Sequence, residues 1–205
     1  VLGTPSEEIV RQAQSLGAAL IIVGLRRHGP IDRALNNETA LRVMRHASSP
    51  VLGVVPGTTA LPVRVLAAID FSCVSMAAAR AASELVGEKG ALVLAYVPQL
   101  DALLADEGEK VVHELGMHEA FKRAARELEA RRVACDHIVL HQEAQDTPAE
   151  LLLEYADASR SDLIAAGSAR HSRIQRWMIG SVSTELVRDG RRSVLIIPSR
   201  CAPRR

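Results

Sequence analysis

The chain has 205 residues, of which 48% are hydrophobic and 24% charged, with a mean hydropathy of +0.08. This composition excludes a disordered or collagen-like chain, and the length suits one large domain or one domain plus a fragment. With 25 basic and 24 acidic residues the formal net charge is +1, and the absence of long single-sign blocks argues against nucleic acid as a partner.

Neither a membrane span nor a cysteine framework is visible in the sequence. Its longest apolar stretches fall short of the roughly 18 residues that a spanning helix needs, and no signal peptide is recognisable. The three cysteines, Cys73, Cys135 and Cys201, have no metal-binding or disulfide spacing. We therefore expect a cytoplasmic protein without membrane partners, and we interpret Cys73 as a small buried thiol.

The first 57 residues predict two helices and two strands. Thr4-Pro5-Ser6-Glu7 combine a hydroxyl, a proline and a carboxylate as a helix start requires, and a helical apolar face follows. A strand over 19–24, a helix over 39–46 and a strand over 51–55 come next. Within the last strand, Gly53 is a candidate bulge.

A proline- and glycine-containing linker, 58–62, separates this segment from residues 63–200, and a tail occupies 201–205. The longer segment alternates strands and helices, which predicts an α/β fold with a mainly parallel sheet covered by helices on both faces. Its predicted strands lie at 65–69, 91–97, near 137–140, at 163–167 and at 194–197. Its predicted helices lie at 74–86, around 117–128, after 147 and at 181–189.

An internal repeat relates the two segments. Residues 4–52 align without a gap with 147–195, and 14 of these 49 positions are identical. Residues 1–57 are then the closing half of a domain and 63–200 a complete copy. A full first copy needs roughly 80 to 90 further residues upstream, so we expect a truncated or mis-started tandem protein. We expect the half-repeat to dock against the final strand of the complete domain or to be completed by another chain.

Candidate ligand-binding residues follow the strands of the predicted sheet. In open parallel sheets, ligands bind outside the carboxyl ends of strands near a switch in strand order. This rule points to Asp70, Val97 and the loop from Gly167 to Ser181. Gly180 and Ser181 begin a helix whose amides and dipole suit a phosphate, and Gly167 would let the backbone approach a ligand.

At these residues the sequence resembles the universal stress protein family, whose nucleotide signature is G-x2-G-x9-G-[ST]. Gly167, Arg170, Gly180 and Ser181 keep that spacing, with arginine at the second glycine. Segment 67–72, AAIDFS, is similar to the family's opening strand with its adenosine-side aspartate, and 42–52 is similar to its terminal helix and strand. The resemblance implies an open Rossmann-like sheet of five parallel strands in order 3-2-1-4-5, here with an added N-terminal half-repeat.

The resemblance also implies a cytoplasmic stress-response protein that binds adenine nucleotide, as ATP with Mg²⁺, in the complete domain. Asp70 would contact the adenosine and Val97 the base. The phosphates would lie against the signature loop and the helix start, namely Gly167, Arg170, Gly180, Ser181, Val182 and Ser183. Family members usually dimerise through the last strand, which implies a homodimer or a pseudo-dimer through terminal strands.

Two alternatives stay open at this point. Arg170 could block the phosphates or pair with them, so a partner-binding module of the same fold without nucleotide is the second hypothesis. An adenylating or pyrophosphatase enzyme is the third and least favoured, because 69–75 lacks the glycines of a phosphate loop. No catalytic residue is predicted, and weak ATP hydrolysis is the most that we expect. The first copy has Glu38 where the signature needs a hydroxyl, so we expect no nucleotide there.

Other polar residues support simpler interpretations. His137 and His141, with Cys135 nearby, share one strand, but no further ligand at familiar spacing completes a metal site, so none is predicted. The basic loop around Arg170 to Arg176 is interpreted as a solvated surface loop or subunit contact rather than an anion site. Ser181 is interpreted as a helix cap or phosphate donor rather than a nucleophile.

Overall fold

The computed structural model describes residues 3–26, 38–86, 90–98, 107–129, 133–141, 146–168 and 180–199. The described elements alternate between helix and strand along most of the chain. In order they are α1 (Pro5–Ser15), β1 (Ile21–Gly24), α2 (Glu38–His46), β2 (Val51–Val54), β3 (Arg64–Ala68), α3 (Cys73–Val86), β4 (Ala91–Tyr96), α4 (Glu107–Glu129), β5 (Ala134–Val139), α5 (Pro148–Ala158), β6 (Leu163–Gly167), α6 (Ser181–Asp189) and β7 (Ser193–Ile197).

The described strands form one sheet in the order β1-β2-β7-β6-β3-β4-β5. All neighbouring strands are parallel except β2 and β7. The predicted α/β class with a mainly parallel sheet is confirmed. The five strands of the complete copy, β3 to β7, lie in the order 3-2-1-4-5 that the resemblance implied, and the half-repeat extends the sheet by two strands.

The half-repeat joins the complete domain by an antiparallel pairing of β2 with β7. Val51 lies opposite Ile196, Leu52 opposite Leu195 and Gly53 opposite Val194. The Val55 amide also donates to the Ser193 hydroxyl over 3.2 Å. Of the two arrangements expected for the half-repeat, docking on the final strand is the one observed. The pairing also satisfies backbone groups that an open edge of β7 would expose.

Helices cover both faces of the sheet and define two apolar layers. On one face, α1, α2, α5 and α6 bury side chains such as Val10, Met44, Leu152 and Leu186 against the strands. On the other face, α3 and α4 bury Ala78, Ala82, Phe121 and Leu128. The alanine-rich α3 lies close to the sheet because its side chains are small.

The predicted starts of the repeated helices are confirmed. The Thr147 amide donates to the Glu150 carboxylate over 2.9 Å, and the Glu150 amide donates back to the Thr147 hydroxyl over 3.2 Å. At the equivalent helix, the Thr4 amide donates to the Glu7 carboxylate over 3.2 Å. A reciprocal cap of this kind is worth about 1 kcal/mol.

Two predictions for single residues are wrong. Gly53 is no bulge, because it pairs in regular register with Val23 on one side and Val194 on the other. Its small size instead makes room for Leu25, whose side chain would lie 2.9 Å from an added Cβ. Cys73 is exposed rather than buried, because it is the first residue of α3 and lies on the side of the helix facing away from the sheet.

Candidate functional site

Two helices begin at the carboxyl edge of the sheet where β3 and β6 are neighbours. The chain leaves β3 into α3, which packs on one face, and leaves β6 toward α6, which packs on the other. Here the order in which successive strands are added to the sheet reverses, and in open α/β sheets ligands bind at such a switch point. The candidate site is therefore formed by the ends of β3, β4 and β6 and by the first turns of α3 and α6.

Asp70, directly before the first turn of α3, is fixed by two serines. Its Oδ1 accepts a hydrogen bond from the Ser72 amide over 3.0 Å, and its own amide donates to the Ser75 hydroxyl over 3.3 Å. The Ser72 hydroxyl in turn accepts from the Ser75 amide over 3.2 Å, which caps α3. These bonds hold an exposed carboxylate at the edge of the sheet.

The same bonds keep Asp70 ionised. Desolvation raises the pKa of Asp70, but hydrogen bonds from the Ser72 and Ser75 side chains and from the Ser72 and Asp70 amides together lower it by more. The pKa of the carboxyl therefore lies below its usual range. An ionised carboxylate is a hydrogen-bond acceptor only, which suits hydroxyl groups of a ligand and not its phosphates.

Phe71 has a backbone φ of +58°, a left-handed conformation that costs a residue with a Cβ about 1 to 2 kcal/mol. Its ring centroid lies 5.1 Å from that of Phe121, in an edge-to-face arrangement, and 5.3 Å from that of Tyr96. Desolvation and the negative charge of Asp70 raise the pKa of Tyr96. The aromatic contacts thus hold the turn that carries Asp70 in its strained form.

Gly167 ends β6 and lies directly against the first turn of α3. A Cβ at this position would lie 2.8 Å from Cγ1 of Val74 and 3.0 Å from the Ser75 amide nitrogen. The Gly167 carbonyl accepts a hydrogen bond from the buried Ser183 hydroxyl over 3.1 Å. Gly167 therefore links the first turns of α3 and α6, and the glycine is required by the approach of α3.

The first turn of α6 is the one most suited to an anion. Its N-cap residue is Gly180, which has no side chain to bond the helix amides. Ser72 and Thr147 cap α3 and α5 with their hydroxyls, so the amides of Ser181, Val182 and Ser183 differ in lacking such a cap. The first amides and the positive end of a helix dipole attract phosphate.

Of the remaining predicted residues, some lie within the described part of the chain and some do not. Val97 follows β4 and is half-buried against the face covered by α5 and α6. Arg170 and the basic loop around it lie outside the described residues. In the first copy, Glu38 begins α2 and lies 3.8 Å from the Arg188 guanidinium of α6. A carboxylate thus stands where Ser181 stands in the complete copy.

His137 and Cys135, the weaker candidates for a metal site, lie among ordinary structural contacts. The His137 ring stacks on Phe121 with centroids 4.5 Å apart, and desolvation raises the pKa of Cys135 to about 11. Within the described ranges no group of three metal-binding side chains comes together. A search of the same ranges finds no helix with the length and hydropathy of a membrane span.

A groove of about 450 Å³ lies at the opposite edge of the sheet, at the amino ends of β3, β4 and β5. Its walls include Arg64, Val93, Asp136 and Tyr155. The Arg64 guanidinium already donates to the Ser159 carbonyl across one end of this groove. None of the predicted site residues lines it, and we do not assign it to the candidate site.

Sequence reasoning missed Ser72, Ser75, Phe71 and Tyr96 as site residues. Two of them carried a signal, because Ser72 and Ser75 are hydroxyl residues three positions apart near the start of the helix predicted at 74–86, and they take the N-cap and N3 positions of α3. Phe71 and Tyr96 carried none, since both read as ordinary core aromatics. Their role follows from the positive φ of Phe71 and from the ring contacts.

Comparisons with known proteins agree with this architecture. The structure is similar to a universal stress protein from Archaeoglobus fulgidus DSM 4304, with a TM-score of 0.66 and 21% identity over 95% of this chain and 66% of the other. A functionally unknown protein from Pseudomonas aeruginosa PAO1 gives a TM-score of 0.66 and 17% identity over 96% and 68%. This chain thus spans about two thirds of the length of both. No curated protein matches.

A shorter structure, described as a universal stress protein in complex with cAMP, gives a TM-score of 0.52 and 20% identity over 68% of this chain and 99% of the other. The sequence description of the Universal stress protein family matches residues 1–55 and 63–198, which are the two segments of the internal repeat. The chain belongs to the universal stress protein family.

Proposed function

We propose that this chain is a stress-response protein that binds an adenine nucleotide, ATP with Mg²⁺ in the first place, at the edge formed by β3, β4 and β6. One observation carries the proposal: the first turn of α6, whose N-cap glycine has no side chain to cap it, and the turn that presents Asp70 both follow the carboxyl ends of the neighbouring strands β6 and β3. The helix amides can donate hydrogen bonds to phosphate oxygens, and the Asp70 carboxylate can accept them from hydroxyl groups. These two functions match the two polar ends of a nucleotide.

Each predicted residue that the structure describes has a role in this proposal. Asp70 accepts hydrogen bonds from hydroxyls of the adenosine, and Val97 offers an apolar contact to the base. The amides of Ser181, Val182 and Ser183 donate to the phosphates, and Gly180 allows their close approach. Gly167 holds the first turns of α3 and α6 together. Support also comes from the signature spacing of Gly167, Gly180 and Ser181 and from the related structure with cAMP. The free thiols of Cys73 and Cys135 favour the reducing cytoplasm.

Isothermal titration calorimetry of the purified chain with ATP and Mg²⁺, and separately with cAMP, tests the proposal. We expect saturable binding that Asp70→Ala weakens at least tenfold. Asp136→Ala, which removes an exposed carboxylate of β5 away from this edge, is the matched control and should bind as the unaltered chain does. Binding that is absent, or that responds equally to both substitutions, contradicts the proposal.

A second candidate function is a partner-binding module of the same fold without nucleotide. The arginine at the second glycine of the signature favours it, because a side chain at residue 170 takes volume that the family signature leaves empty. Arg170→Gly distinguishes the two functions. A large gain in ATP affinity on this substitution supports the second function, and tight binding that it leaves unchanged supports the first.

A further inference from the structure

The half-repeat presents an open strand edge and an uncovered apolar face side by side. Among the described strands β1 is the last in the sheet, so one of its edges has no described neighbour. On the face away from α1 and α2, this part of the sheet presents Leu20, which directly precedes β1, and Ile22, Leu52 and Val54. Ile22 is exposed and the other three are half-buried, Leu20 and Leu52 at the margin of the apolar layer under α3. Ile22 is 64% exposed. We call this edge and these four side chains the β1 surface.

The complete copy shows how the equivalent surface is covered. By the repeat alignment the counterparts of the four side chains are Leu163, Ala165, Leu195 and Ile197, and none of these is more than 2% exposed. They belong to the apolar layer that α3 covers with Val74, Ala78 and Ala82. The strand equivalent to β1 is β6, whose second edge pairs with β3, for example Leu66 with Ile164.

The glycines that end β6 and β1 show the same difference in how the two strands are covered. An added Cβ at Gly167 would meet Val74 and Ser75 of α3 within 3.0 Å. At Gly24, its counterpart in the repeat, an added Cβ meets nothing within 4 Å. No described residue therefore fills, at Gly24, the space that α3 occupies at Gly167.

The backbone of β1 is arranged to receive a parallel strand. The amides of Ile21 and Leu25 donate to β2, at Pro50 and Val54. Because successive amides of a strand point to opposite sides, those of Ile22 and Gly24 point to the open edge. Such an edge pairs readily with a further strand.

We propose that the β1 surface is the docking site for the opening strand and helix of a universal stress protein repeat, a unit of the β3–α3 type. A strand alone, such as β1 of a second copy, would pair with the edge but leave Ile22 and the exposed part of Leu52 uncovered. A strand followed by a small-residue helix covers both features, as β3 and α3 do for β6 and β7. The additional length of the related structures, of which this chain spans 66% and 68%, leaves room for such a unit.

Hydrogen exchange of β1 in a fused chain tests this proposal. A second copy of residues 63–143 is placed directly upstream of residue 1, which reproduces the register that 63–143 has toward the repeat in the complete copy. We expect the Ile22 and Gly24 amides to exchange on the order of tenfold more slowly, or slower still, in the fusion than in the original chain. Unchanged exchange in a folded fusion overturns the proposal.

Substitutions on the surface give a second readout. Ile22→Lys should leave the melting temperature of the original chain unchanged, because the side chain is exposed, and lower that of the fusion, where it becomes buried. Leu16→Lys is the matched control, since Leu16 is 78% exposed at the end of α1 and should be neutral in both proteins. An equal effect of Ile22→Lys in both proteins contradicts the proposal.

The original chain alone supplies a test that does not depend on folding of the fusion. Its Ile22 and Gly24 amides should exchange fast at every protein concentration. Slow exchange that is independent of concentration means that the surface is closed within the chain. Slow exchange that grows with concentration and disappears in Ile22→Lys means that a second copy occupies it. Either result overturns the proposal.

Discussion

Leu52 of β2 lies opposite Leu195 of β7, and these two leucines are each other's counterparts in the internal repeat. The flanking pairs, Val51 with Ile196 and Gly53 with Val194, exchange equivalent positions across this centre. The two copies are therefore related by a local twofold axis through the leucine pair. Such a pairing is the isologous contact of a symmetric dimer, formed here within one chain.

This relationship predicts the state of association. The strand edge of β7 is occupied by β2, so the full chain should not dimerise through β7. A shortened chain of residues 63–205 exposes that edge and should form a dimer through it. Size-exclusion chromatography with light scattering measures both. A shortened chain that is folded and stays monomeric at high concentration would show that β7 has no affinity for a second copy.

The glycine pair at the strand ends predicts opposite effects of one substitution. Gly167→Ala should destabilise the protein by about 1 to 3 kcal/mol, because the added methyl group meets the backbone of α3. Gly24→Ala should be neutral or stabilising by up to about 1 kcal/mol, since its surroundings are open. Urea unfolding of the two variants compares them directly. Similar losses at both positions would be inconsistent with the packing of α3 on Gly167.

The strained turn at Phe71 predicts an inverted order of glycine and alanine. With the ring removed in both variants, Phe71→Gly should be more stable than Phe71→Ala by about 1 kcal/mol, because only glycine adopts the positive φ without strain. Ala77 lies inside α3, where alanine is normally more stable than glycine, so Ala77→Gly should lower the stability by about 1 kcal/mol. Thermal unfolding measures the three. Phe71→Ala being the more stable of the two would exclude backbone strain at this turn.

The hydrogen bonds to Asp70 predict how its carboxyl titrates. An NMR titration should place its pKa below 3.8, the ordinary value for aspartate, and Ser72→Ala and Ser75→Ala should each raise it. Because the pKa is lower in the folded protein, the ionised carboxylate stabilises the fold above pH 3.8. That stability is lost as the pH falls through the folded value. A midpoint at or above 3.8 in the unaltered chain would mean that the serine bonds do not control this group.

How far the sequence predicted this structure depended on how local the cause was. The caps at Thr4 and Thr147, the alternation of strands and helices and the repeat are local or periodic signals, and each appears in the structure. The need for glycine at Gly53 comes from Leu25, which is distant in the chain. The backbone conformation of Phe71 likewise depends on contacts with the distant Tyr96 and Phe121. Pairing preferences of single strands did not say whether β7 would take β2 or another chain, because both satisfy its edge.

The same reason explains what the sequence indicated about the candidate site. The rule for open sheets and the signature spacing pointed to Asp70, Gly167 and Gly180, and their role as ligand-binding residues stays a prediction. The serines that order Asp70 and the contact of Gly167 with α3 needed the packing of two helices against neighbouring strand ends. Those contacts bring residues that are far apart in the sequence together at one edge of the sheet.

We propose above all that adenine nucleotide binds between Asp70 and the first turn of α6. A titration of isotope-labelled protein with ATP and Mg²⁺, followed by amide chemical shifts, tests it most directly. We predict saturable shifts at Asp70, Ser181, Val182 and Ser183, and none at Glu38, Thr39 and Ala40, the counterparts of the last three in the first copy. Shifts at the α2 start equal to those at the α6 start, or no saturable shift at either, would contradict the claim.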